Sequence, residues 1–279
     1  MRERSLEMSV VEESKERICV TCGTQFPAAP EHCPICEDSR QFVGWEGQQW
    51  TTLADMAGKF ENKFEQNEAG VTSIITEPKF AIGQRAQLVQ THQGNILWEC
   101  VSLLDQATID QVESLGGISA IAISHPHYYA TMSIWSRTFG NVPIYLHEHC
   151  RKWVMHPCEK IEFWNGGAKK LLGGLTLINT PGHFQGFQVL HSSTHGEGRG
   201  ALFAGDQPRV CMDRRWLTFM YSYPNFIPLS SGVVRDIAKR LEGFRFDRLY
   251  GAVPGWIVAS AADEAVKKSA ERYIEAVAG

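Results

Sequence analysis

No apolar run in this chain approaches the roughly 18 residues that a membrane-spanning helix needs. Stretches such as Ile118 to Ile123 have the length of a buried strand instead. An excess of positive charge is also missing. Lys and Arg together number 27 against 31 Asp and Glu, a net charge of −4. That balance argues against a protein that works by neutralising nucleic-acid phosphates, while one basic pocket on an acidic protein still admits a small anionic substrate. The charged N-terminus, MRERSLEMSVVEESKER, lacks the apolar centre of a secretory signal, so the cytosol is the expected compartment. Internal repeats and low-complexity tracts are absent as well. The remainder, with 43% apolar residues over 279 positions, is an ordinary globular composition. It is long enough for one large core and a small attachment.

Cysteine is present but unevenly spread. Four of the eight are crowded into Cys19-x-x-Cys22 and Cys33-x-x-Cys36, whereas Cys100, Cys150, Cys158 and Cys211 are scattered. Each Cys-x-x-Cys turn aims two sulfurs into one small volume, and two such turns supply the tetrahedral thiolate set that Zn²⁺ prefers. About thirty residues cannot bury enough apolar surface to fold alone, so the metal supplies the missing free energy. Two disulfides, four unrelated thiols or an iron centre are the competing readings. The pieces CVTCG and CPIC resemble zinc-ribbon or rubredoxin-like knuckles, although the ten-residue gap is short for a rubredoxin. A closed site of this kind is structural or a docking module.

The organisation follows from these signals. Residues 1–17 read as a flexible polar tail, 18–50 as the four-cysteine zinc ribbon, 51–69 as a linker and 70–279 as the main domain. In the main domain, VTSIITEP, RAQLVQTH and GNILWECVSL read as strands separated by turn signals. A helix is expected over 105–116, ended by Gly116-Gly117, and a buried strand over ISAIAIS. Further strands are expected at 142–146, 175–179, 185–191 and 200–204, and helices at about 231–242 and 262–277. Strands in groups with helices between them indicate a layered α/β protein.

Directly after ISAIAIS come His125 and His127, and in an extended segment residues two apart share a side. His183 sits in NTPGHFQG and Asp206 in FAGDQP, each just past a strand end. Singly, a histidine is more often a satisfied core or surface group than a ligand, and an Asp after Gly is often a turn residue. Together they form a candidate metal set.

On HPHYYATMS, TPGHFQGFQVL, ALFAGDQP and YGAVPGW the chain resembles the metallo-beta-lactamase fold superfamily over about residues 70–279. The resemblance implies a four-layer αββα sandwich with a metal site at one edge, built from strand-end loops. It matches His125 and His127 to the first histidine pair, His183 to the third histidine and Asp206 to the bridging aspartate. The departures are Tyr129 where an Asp is expected, Ala130 where a His is expected and Trp256 where the last His is expected. Those three positions would have held a second metal, so the resemblance implies a single ion, Zn²⁺ or Fe²⁺, with Asp206 as fourth ligand or beside the bound water.

The leading expectation is a single-metal hydrolase. A metal-activated water would attack an ester, thioester, lactone or amide of a small molecule, Asp206 would handle the proton, and Tyr129 would donate to the substrate. The alternatives are a mononuclear iron oxidoreductase acting on sulfur compounds and a non-catalytic scaffold; nuclease relatives usually need the second metal. Arg209, Arg214 and Arg215 are candidates for holding an anion, Glu99 for supporting the histidine loop, and FMYSYPNFIPLS for a pocket wall or a homodimer contact. His147, His149, His156 and Cys158 read as structural or as supports behind the ligands.

Overall fold

The structure is a computed structural model that describes residues 15–28 and 30–278. Most of the tail expected over 1–17 lies outside the described residues.

Two sheets make the main domain. One has seven strands, in the spatial order Ile161–Trp164, Ile144–His147, Ala120–Ala122, Gly94–Trp98, Ala86–Thr91, Val71–Glu77, Glu61–Glu68. The first four run parallel to one another and the last four form an antiparallel meander. The other sheet has six strands, in the order Ala168–Lys170, Thr176–Asn179, Gln188–Ser192, Ala201–Gly205, Arg248–Gly251, Ile257–Val258.

The side-chain alternation of the strands explains the layering. Ile96 and Trp98 of one sheet meet Leu177, Leu190, Phe203 and Tyr250 of the other in a shared core. Their neighbours Leu97, Ile178, Val189 and Leu202 point the opposite way, into a second core with Val112, Trp135, Val234, Ile237 and Val266 from helices. Strands apolar on both faces must be covered on both faces, and an αββα sandwich results. The fully buried Arg85 ties the sheets together. Its Nε and Nη2 donate to the Gly251 carbonyl at 3.0 and 2.8 Å, and burial pushes its pKa down to about 10.

The helices expected near 105–116, 231–242 and 262–277 are Gln106–Ser114, Ser231–Leu241 and Ala262–Val277. Asp105 caps the first by accepting from the Thr108 amide at 2.9 Å. The expected linker, 51–69, contains the edge strand Glu61–Glu68. Its sequence, ENKFEQNE, carries charge on both faces because one side and one edge meet water, which removes the apolar alternation that marks a strand.

The ribbon is a small three-stranded sheet of Arg17–Cys19, Gln25–Phe26 and Trp50–Thr51. It packs on the main domain through Ile82, Trp153 and Met155. The Gln25 amide donates to the Ala130 carbonyl at 3.1 Å and the Ser102 hydroxyl to the Gly23 carbonyl at 2.8 Å. Among the described residues no helix is long and apolar enough to cross a membrane.

Candidate metal centre

The four clustered cysteines close on one another. Cys19 Sγ lies 3.7 Å from Cys36 Sγ, and Cys22 Sγ lies 3.7 Å from Cys33 Sγ. A disulfide would need about 2.05 Å. Sulfurs held at about 2.3 Å around a tetrahedral ion sit about 3.8 Å apart, so the spacing fits a metal and excludes disulfides. All four are buried, and the Gln48 side-chain amide points at Cys19 Sγ from 3.3 Å. Hydrogen bonds from Cys22, Cys33 and Cys36 push the Cys19 thiol far down, while the contact with Cys19 pushes Cys22 and Cys36 up.

The second group is His125, His127, His183 and Asp206, whose ligand atoms all lie within 4.8 Å of one another. His125 is extended, as expected, but His127 is not. Pro126, His127 and Tyr128 form a single 3₁₀ turn that begins after His125, and this turn brings the two rings to 4.9 Å between centroids. Proline at the first position of the turn has its φ already set for it. His183 arrives from the loop between Thr176–Asn179 and Gln188–Ser192. The side chain of Gln207 clamps that loop, accepting from the His183 amide at 2.7 Å and donating to the Thr180 carbonyl at 2.6 Å. Gly182 makes room for this clamp, since a Cβ there would sit 2.4 Å from Gln207 Oε1. Sequence reasoning passes over Gln207, although its place beside Asp206 is an available signal.

The hydrogen bonds of the rings fix which nitrogens are free. His183 Nδ1–H donates to the Tyr221 carbonyl at 2.8 Å, leaving the Nε2 lone pair 3.2 Å from His127 Nδ1. His125 Nδ1 is engaged by the Ser124 hydroxyl at 2.7 Å, and its buried Nε2 has no hydrogen-bond partner among the described residues but faces Asp206 Oδ2 at 3.6 Å. Donors at about 2.0–2.1 Å around a tetrahedral ion lie about 3.4 Å apart, which matches these separations. Burial, and then the neighbouring imidazoles, push the pKa of His125 and of His127 well down; burial does the same to His183. The three neutral imidazoles and the Asp206 carboxylate make a donor set that could hold a metal ion.

Asp206 has two faces. Oδ2 looks toward His125, and Oδ1 lies 3.7 Å from the Arg209 guanidinium. Arg209 is sandwiched between the rings of Tyr223 and Trp256, at 4.2 and 4.8 Å. Trp256 therefore supports an arginine beside Asp206.

Tyr129 is buried, and its phenol meets Cys150. Tyr128 is the tyrosine at the centre. Its ring lies 4.5 Å from that of His125 and its hydroxyl interacts with Asp206. Burial, and then the charge of Asp206, push its pKa well up, so it stays a proton donor.

Glu99 does stand behind the histidine loop. Its Oε2 accepts from the Ser124 amide at 3.0 Å, next to the hydroxyl that orients His125. Burial pushes its pKa up to about 8. Gly205, at φ +58°, leaves room for it, since a Cβ there would lie 2.8 Å from Glu99 Oε1. Arg214 donates to the Cys211 carbonyl at 2.7 Å and lies 5.3 Å from the centre of the Trp256 ring, and Arg215 pairs with Asp213. His147 packs on Trp164, His149 packs on His147, and His156 bonds Glu16 at 2.8 Å, all outside the metal group. A cavity of about 510 Å³ opens over His127, His183 and Asp206.

No family model matches the sequence. The uncharacterized protein YmaE of Bacillus subtilis (strain 168) is 48% identical over 265 residues, covering 93% of this chain and 96% of its own. Among solved structures, the metallo-beta-lactamase VMB-1 superposes with a TM-score of 0.57 at 14% identity, covering 78% of this chain and 99% of that one. The metallo-beta-lactamase FIM-1 from Pseudomonas aeruginosa, in its mono-zinc form, gives 0.54 at 14% identity, covering 76% and 95%. These likenesses establish the metallo-beta-lactamase fold.

Proposed function

We infer the function from one premise: the chain belongs to the family of Bacillus subtilis YmaE and has the metallo-beta-lactamase fold. On that premise it is a metal-dependent hydrolase of a small molecule, working with a single ion at the histidine site and a structural Zn²⁺ in the ribbon. His125, His127 and His183 would hold the catalytic ion, with Asp206 as fourth ligand or beside the reacting water. The observation that carries the single-ion reading is the split of Asp206: one oxygen faces the histidines and the other faces the Arg209 cation, where a second metal would have shared it.

When bound, the divalent ion supplies positive charge that acidifies water and offsets charge developing on a carbonyl oxygen. The protein does the rest. Asp206 orients the attacking water and takes its proton. Tyr128, held protonated, fixes the Asp206 carboxylate. Ser124 and Glu99 hold the His125 ring, and Gln207 holds the His183 loop, so the donors need no reorganisation. The bond cleaved is an ester, thioester, lactone or amide. Eight unpaired cysteines suit a reducing compartment, and we place the protein in the cytosol.

Zinc-reconstituted protein is expected to hydrolyse activated esters, and His125→Ala to lose more than about 10²-fold in kcat/KM, beyond the effect typical of residues that only orient ligands. Equal turnover by wild type and His125→Ala would remove the reading.

A further inference from the structure

The cavity over the histidines has walls from two parts of the chain. The main domain gives the floor. The ribbon, through its segment around Arg40 to Gly44, gives the roof. That roof is bonded down on the aromatic loop. The Ser222 hydroxyl donates to the Arg40 carbonyl at 3.0 Å, the Asn225 amide donates to the Gln41 carbonyl at 3.2 Å, and Ser39 and Tyr221 share a hydrogen bond of 2.6 Å.

Arg40 hangs from this roof into the site. Its guanidinium carbon lies 4.3 Å from the centre of the Phe184 ring and 4.9 Å from that of Tyr221, and Phe184 in turn packs on His127 at 5.0 Å. Asp38 holds Nη1 at 2.7 Å. Nε is buried and has no hydrogen-bond partner among the described residues. The side chain nevertheless lines the cavity and keeps part of its surface open to it. Arg209 faces the same cavity, Lys79 lies on its rim, and Asp206 is the carboxylate among the lining residues. The cavity therefore carries three side-chain cations around one anion, on a chain whose net charge is −4.

We propose that the four-cysteine ribbon is a built-in roof of the active site and that Arg40, which it delivers, is a specificity residue that binds the carboxylate or phosphate of an anionic substrate. A guanidinium fork suits either oxyanion, and the ring faces of Phe184 and Tyr221 hold it flat. The ribbon metal then sets the substrate site indirectly, because it shapes the knuckle that carries Arg40. The identity of the anion's host as a substrate rests on the hydrolase reading; the anion site itself does not.

The test uses the full chain loaded with zinc, with metal content checked in every variant. Glutarate is titrated by calorimetry into wild type, Arg40→Met, Arg40→Lys and Arg215→Met, the last being an exposed arginine paired with Asp213. Arg40→Met is expected to weaken glutarate at least about tenfold, Arg40→Lys less, and Arg215→Met not measurably. In parallel, the kcat/KM ratio between the 4-nitrophenyl monoester of glutarate and neutral 4-nitrophenyl butyrate is measured. Arg40→Met should lower that ratio at least about tenfold, through KM. Absence of glutarate binding to wild type, or equal binding and an equal ratio in Arg40→Met, overturns the proposal. Arg40-dependent glutarate binding with no ester cleaved upholds the anion site and removes the hydrolase reading instead.

Discussion

The two metal centres of this chain are built on opposite plans. The cysteine centre draws its ligands from positions 19 to 36, two short turns facing each other, and its sulfurs are sealed from water. The histidine–aspartate centre draws on positions 125 to 206, from loops that begin where three strands end, and a cavity opens above it. The first offers a closed shell of like donors, buried on all sides. The second mixes neutral nitrogens with one carboxylate that also faces Arg209, and it keeps an approach for a reactant. Closure, not ligand number, separates a structural ion from a working one. The two centres also touch each other's business, since the closed one shapes the roof of the open one.

Breaking the closed centre should have the largest effect. Cys33→Ser is expected to cost the ribbon its ion, which supplies roughly 10 kcal/mol in isolated zinc modules. Hydrogen exchange should then show protection lost over 18–50 and retained in Ala86–Thr91 and Gly94–Trp98. A ribbon that stays protected would show that docking on the main domain, not metal, holds it. A smaller effect sharpens the open centre. Tyr128→Phe should lower kcat by about 10–100-fold, as changes to groups that orient a ligand do. Tyr129→Phe, whose phenol meets Cys150, should leave kcat within about twofold and cost about 1 kcal/mol of stability by chemical denaturation. The reverse ranking would return the catalytic role to Tyr129.

The difference between the centres also decides what can be read without coordinates. Paired Cys-x-x-Cys turns state their geometry locally, because a turn of that length has few ways to aim its sulfurs. The histidine set is legible only in outline. Strand ends locate His125, His183 and Asp206, but how they meet depends on sheet order, which is a long-range property. The single 3₁₀ turn after His125 hides in plain residues, Pro126 at its start. The edge strand Glu61–Glu68 escapes because solvent on one face leaves it no apolar stripe. Arg40 escapes because nothing in the ribbon's sequence says which face of the domain it will cover. Buried interior strands such as Gly94–Trp98, with apolar residues on both faces, are the most legible part of the fold.

Everything turns on how many ions the chain holds and where. Elemental analysis of protein purified with its native metals, alongside His183→Ala, tests this most directly. The account predicts two ions per wild-type chain, one for each ligand group, and one in His183→Ala, held by the cysteines. A third ion in wild type, or an unchanged count in His183→Ala, would contradict it.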